Sequence, residues 1–140
     1  LAITRALYRV QASLEETDWD QALALAFRRG HRRSLVLMLT DLVDPDAALS
    51  LVTRTRRLVP RHLPLVASLL DPTLEAAALD VPATEEAAFR RLAASRLESD
   101  ALATVARLRA AGARVVRCAP ASLGARTVSA YLDLKTRGAL

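Results

Sequence analysis

Three short apolar runs constrain the fold of this chain more than any other feature: residues 34–42 (SLVLMLTDL), 63–70 (LPLVASLL) and 113–119 (ARVVRCA). The first two are almost unbroken apolar stretches, as strands covered on both faces of a parallel sheet require. Parallel strands cannot be joined by a tight turn, so each connection has to cross over. The segments between the runs carry the helical periodicity that a crossover needs. Leu7, Val10 and Leu14 mark one helix, and Trp19, Leu23, Ala26 and Phe27 a second. Leu49, Val52, Leu58 and Val59 mark a third. A long stretch, 85–111, is marked by Phe89, Leu92, Leu97, Leu102, Val105 and Leu108, with Ser99-Asp100 placed to divide it. The last helix, from about 122 to 136, carries Val128, Tyr131, Leu132 and Leu134.

Capping residues support these boundaries. Asp44-Pro45 and Asp71-Pro72 each put an acid at an N-cap and a proline at the first helical position. Thr84 precedes Glu85 and Glu86 at the start of the long helix. Gly30, Gly112 and Gly138 fall where helices end in a left-handed residue, whereas Gly124 has no such explanation. The expected class is α/β: a three-layer parallel sheet with helices on both faces and right-handed crossovers, formed by residues 1–140 as one unit.

This topology sorts charge between two edges. Strand C-termini and helix N-termini share one edge, where ligands of α/β proteins bind. Asp18, Asp20, Asp41, Asp44, Asp46 and Asp71 belong to it. Helix C-termini share the other edge, which collects Arg28, Arg29, Arg32, Arg33, Arg54, Arg56, Arg57 and Arg61, then Arg107, Arg109, Arg114, Lys135 and Arg137. The chain has 20 basic and 15 acidic side chains, a net charge of +5. Only Lys135 among the basic residues is not Arg. Much of this excess complements helix dipoles, so nucleic acid is not the expected partner; aromatic residues, which nucleic-acid modules use for stacking, make up 4%.

Asp41 is the candidate of most interest, because it lies inside the strand-end sequence Leu39-Thr40-Asp41-Leu42, ahead of the cap position. A carboxylate buried or half-buried there needs partners, which a divalent cation or a turn hydrogen bond would provide. Asp44 and Asp71 read as helix caps. Catalysis has little support: there is no G-x-S-x-G elbow and no glycine-rich phosphate loop. Cys118, the only cysteine, reads as a buried structural thiol, and a single thiol suits a reducing compartment. His31 and His62 lie in basic loops and read as solvated. Trp19 and Tyr8 are expected to pack the first helices onto the sheet.

Several phrases together resemble a known family. Arg32-Arg33-Ser34-Leu35-Val36 leading into Leu39-Thr40-Asp41-Leu42 resembles a von Willebrand factor type A strand ending in a metal-site aspartate. The segment from Glu16 through Thr17-Asp18-Trp19-Asp20 to Leu23 resembles the part of that fold that supplies a threonine. Arg61-His62-Leu63-Pro64-Leu65-Val66, Leu70-Asp71-Pro72-Thr73-Leu74-Glu75 and Tyr131-Leu132-Asp133-Leu134-Lys135-Thr136-Arg137-Gly138 resemble the C-terminal part of the bacterial family called domain of unknown function 58. The likeness covers essentially the whole chain.

That resemblance implies the C-terminal half of a von Willebrand A (Rossmann-like) domain, hence a fragment of a longer chain. It implies a non-catalytic adaptor working with a MoxR-type AAA+ ATPase. The setting it implies is cytoplasmic, with a membrane anchor supplied by upstream segments. Asp41 and Thr17 match metal-site positions, but the D-x-S-x-S motif of the wider fold is missing. No cofactor is therefore expected, except weak Mg2+ binding if an upstream half supplies ligands. Asp18, Asp20, Asp41, Asp44 and Asp71 form the expected partner-binding edge, and a homodimer is expected along an uncovered sheet edge. The alternatives are a metal-assisted hydrolase using Asp41, Asp71 and Asp18, and nucleic-acid or anionic-membrane binding through the arginine edge. No apolar run reaches the roughly 18 residues that a membrane span needs.

Overall fold

Each apolar run becomes a strand. The computed structural model describes residues 2–11, 17–29 and 32–138, so Leu14, Glu16, Gly30 and His31 lie outside the described residues. The element order is α1 (Ala2–Tyr8), α2 (Trp19–Arg29), β1 (Leu35–Thr40), α3 (Pro45–Leu58), β2 (Leu63–Leu69), α4 (Pro72–Leu79), α5 (Glu85–Ala110), β3 (Arg114–Cys118) and α6 (Pro120–Thr136). The strands are all parallel in the order β1-β2-β3, with Leu37 opposite Leu65 and Val66 opposite Val115.

One face of the sheet carries the main core. Met38, Val66 and Val115 meet Trp19 and Leu23 of α2, Leu51, Val52 and Leu58 of α3, and Ala101, Val105 and Leu108 of α5. The other face is covered by α6, which packs on β2 and β3. By strand alternation Leu65 and Ala67 point to that second face, and both are fully buried. The α6 layer does not reach β1: Leu37 and Leu39, which share this face, are exposed. Among the described residues the sheet is thus covered on both faces at β2 and β3 but on one face only at β1.

The caps hold as read from sequence. Asp44 Oδ1 accepts the N–H groups of Asp46 and Ala47, Asp71 Oδ1 that of Thr73, and Thr84 Oγ1 that of Ala87. Gly112 ends α5 at φ +95°, and a Cβ there would lie 2.9 Å from Val59 Cγ2, so both the backbone and the space require glycine.

Four expectations need correction. Helix α5 is continuous through Ser99-Asp100. At 26 residues it is about 39 Å long, so it outruns the neighbouring strands by roughly 20 Å. Its N-terminal half pairs with α4 as a helical hairpin beyond the strand ends, where no sheet lies beneath it. Phe89 and Leu92 are accordingly exposed, as are Leu79 and Val81, whereas Leu102 is exposed because it lies off the buried stripe of α5. The buried stripe runs instead through Ala94, Ala101, Thr104, Val105 and Leu108.

Tyr8 is 90% exposed, whereas Trp19 enters the core as expected. Asp41 is exposed, not buried. Finally, His62 is buried rather than solvated. The Arg61 and His62 N–H groups both fold back onto the Leu58 carbonyl, which carries the imidazole inward against Phe27 at a centroid distance of 5.7 Å. Neither ring nitrogen of His62 has a hydrogen-bond partner among the described residues.

Gly124 lies within α6, and a Cβ there meets nothing within 4 Å. Gly124→Ala should stabilise the protein by about 0.5–1 kcal/mol through helix propensity alone. Thermal denaturation should show a rise of a few degrees.

Candidate functional site

The three strands end at one edge, and the loops that follow enclose a cleft of about 320 Å³. Asp41, Leu42 and Val43 line it from the β1 end, and Leu69, Leu70, Asp71 and Pro72 from the β2 end. Arg117 contributes from the end of β3, and Leu97 and Ala101 from α5. The interior is largely apolar, with carboxylates and one guanidinium at its walls.

The β1 wall is a tight turn. Leu42 has φ +60°, a left-handed conformation that costs a β-carbon-bearing residue about 1–3 kcal/mol. Two side chains brace it: Thr40 Oγ1 accepts the Leu42 N–H at 3.3 Å, and Asp41 Oδ1 accepts the Val43 N–H at 3.4 Å. The Leu42 side chain is buried in the core, which offsets the strain. This turn aims Val43 outward, leaving it exposed over the cleft.

The remaining acids of this edge are mostly committed to structure. Asp18 caps α2 by accepting the Gln21 N–H at 2.9 Å. Asp20 pairs with Arg54 of α3, so Arg54 reaches along α3 to the acidic end instead of joining the basic edge. Asp44 caps α3. Asp71 receives both the hydroxyl and the backbone N–H of Thr73, and these hydrogen bonds, the hydroxyl first, hold its carboxyl below the ordinary range. Asp71 is therefore an anion at neutral pH, not a proton donor.

Thr17 and Asp41, the pair that resembles a metal site, do line a common cavity of about 230 Å³ with Thr40 and Asp44. Their oxygens do not make up a cation site. Asp41 and Asp44 each spend an oxygen on the backbone, and among the described residues no three His, Cys, Asp or Glu side chains are grouped to hold a metal. The donor set does not fit the metal centre of the von Willebrand A fold. Asp18 lines a cavity between α2 and α3, whereas Asp41 and Asp71 line the strand-end cleft.

An ion pair not foreseen from the sequence lies beneath the cleft. Arg117 of β3 and Glu98 of α5 make two parallel hydrogen bonds of 2.6 Å each, with both side chains largely buried. The signal was present: Arg117 interrupts an apolar strand on its core-facing side, and such a charge requires a partner. Nothing local pointed to Glu98, nineteen positions away. The pair joins β3 to α5 near the point where the helix leaves the sheet.

Comparison with family profiles, characterised proteins and solved structures returned no match. The described residues form an α/β unit with a three-stranded parallel sheet and an apolar, carboxylate-rimmed cleft at the strand ends.

The hydrogen bonds from Arg117, followed by its charge, hold the Glu98 carboxyl below its ordinary value of 4.5. A depressed carboxylate pKa adds stability above the ordinary value and loses it as pH falls further. Wild-type stability should therefore drop as pH falls below about 4.5. Glu98→Gln should cost about 2 kcal/mol at pH 7, where a charge-assisted pair is lost, and should flatten this part of the acid limb. Urea denaturation between pH 3 and 7 measures both effects.

Proposed function

We propose that this chain is a non-catalytic protein-interaction module with von Willebrand A-like architecture, which docks a partner at the strand-end cleft. The family resemblance suggests a MoxR-type AAA+ ATPase as that partner. One observation carries the reading: loops from all three strand ends meet around one apolar cleft, with Asp41 and Asp71 as its carboxylates. Val43 and Leu69 stand exposed beside it. Such a surface complements a segment that presents an apolar side chain flanked by Lys or Arg.

The chemistry of the edge favours adhesion over catalysis. Its carboxylates orient backbone N–H groups, and hydrogen bonds from Thr73 hold Asp71 ionised at neutral pH, so Asp71 is not poised to donate a proton. The family resemblance adds a cytoplasmic setting and a tether supplied by upstream segments. No helix of the described residues is long and apolar enough to cross a membrane.

The uncovered edge of β1 is a second contact in this reading. Among the described residues β1 pairs with β2 alone, and Leu37 and Leu39 are exposed beside its free edge. A twofold axis perpendicular to the sheet at that edge would set the Arg32–Arg33 end of one copy against the Asp41–Asp44 end of the other. Sedimentation velocity should show a dimer that Leu39→Lys converts to monomer; a wild-type monomer at all concentrations counts against this contact.

Asp41→Ala should weaken binding to a MoxR-type ATPase of the same organism by roughly tenfold, because a charge is lost from the rim of the contact. The melting temperature should stay nearly unchanged, since Asp41 is exposed. Interferometry with the purified ATPase is the measurement, and an unaltered affinity would remove Asp41 from the interface.

A further inference from the structure

The opposite margin of the sheet has different chemistry. Strand β3 pairs only with β2 among the described residues, and the Cys118 carbonyl accepts the Leu70 N–H at 3.0 Å. Backbone N–H and C=O groups alternate in direction along a strand, so those of Val115 and Arg117 point away from β2 into open space. A cavity of about 540 Å³ lies there. Its lining includes Arg109 from the end of α5, Arg114 and Arg117 of β3, and Arg126, Ser129 and Asp133 of α6. Helices α5 and α6 cover opposite faces of the sheet. A cavity that touches both, together with β3, must wrap around the outer edge of that strand.

The charges in this groove do not cancel. Arg117 is neutralised by Glu98, and Arg114 approaches Asp133 at 3.8 Å. Arg109 and Arg126 make no ion pair among the described residues, and both are exposed. A second copy of β3 would bring arginine against arginine, so this edge opposes self-pairing. Single-stranded nucleic acid would meet the charge but find no aromatic ring in the groove on which to stack. An extended peptide with acidic side chains satisfies both features at once: its backbone meets the open N–H and C=O groups, and its carboxylates meet the guanidinium groups.

We propose that the outer edge of β3 is a docking strand for an acidic, extended segment of a protein partner. This surface is independent of the β1 edge and does not use Asp41 or Asp71. Failure of the strand-end interaction would leave it standing, and the reverse also holds.

The test uses the whole chain and a fluorescent peptide of alternating Glu and Val, followed by anisotropy at low salt. Saturable binding is expected, with the Val115 and Arg117 amides gaining protection from hydrogen exchange and Val116 unchanged. The double variant Arg109→Glu/Arg126→Glu changes two exposed side chains and should bind at least roughly tenfold more weakly. Circular dichroism should show its fold intact, and Asp41→Ala should bind the peptide as wild type does. The proposal is overturned by any of four results: no binding; equal binding of a Lys-Val peptide; equal binding of an acidic peptide interrupted by proline, which would indicate charge without strand addition; or tighter binding of a single-stranded oligonucleotide of the same charge. Undiminished binding by the folded double variant would overturn it as well.

Discussion

Burial of β2 on both sides is the constraint on which the rest of the molecule depends. Residues 64–68 are all buried, so one strand presents side chains to two separate hydrophobic layers. A strand of this kind needs a neighbour on each side and helices above and below. Helices α2, α3 and α5 supply one layer and α6 the other. Because the neighbours run parallel, each crossover between strands has to return past the sheet. All strand C-termini consequently meet at one edge, and the cleft of Asp41 and Asp71 is where they meet.

The two lateral margins are then left with opposite properties. The β1 edge is apolar and, across its length, uncharged, with cations at one end and anions at the other. The β3 edge has outward backbone groups in a groove rich in guanidinium. In the proposed reading the apolar edge with antisymmetric ends accommodates a second copy, whereas the excess of Arg over Asp133 beside β3 disfavours one. The charge excess of +5 therefore has two components with different consequences. Arg56 and Arg57 at the end of α3 complement its dipole, while Arg109 at the end of α5 also lines the groove beside β3 together with Arg126.

Much of this was legible in residue order. The strands, the caps at Asp44, Asp71 and Thr84, and the glycine at 112 each rest on local rules, since a cap or a left-handed turn concerns only a few neighbouring residues. The parallel arrangement followed from unbroken apolar runs alternating with helical periodicity. The site was legible in part. Asp41 and Asp71 do line one cleft, but Asp18 and Asp20 are occupied in a cap and an ion pair. The distinction depends on which oxygen reaches which N–H, and residue spacing does not encode that.

The properties that escaped the sequence all involve partners distant along the chain. His62 carries the features of a solvated loop residue until the turn after α3 folds it against Phe27. Arg117 requires a partner, but only the crossing of α5 over β3 makes it Glu98. Phe89 and Leu92 have the spacing of a core face and stay exposed because α5 is longer than the sheet beneath it. Local propensity and periodicity thus specified the elements, their order and their caps, because those interactions span a few residues. Which side chains those elements bury, pair or leave open depended on relative length and register, which arise only when separate elements pack together.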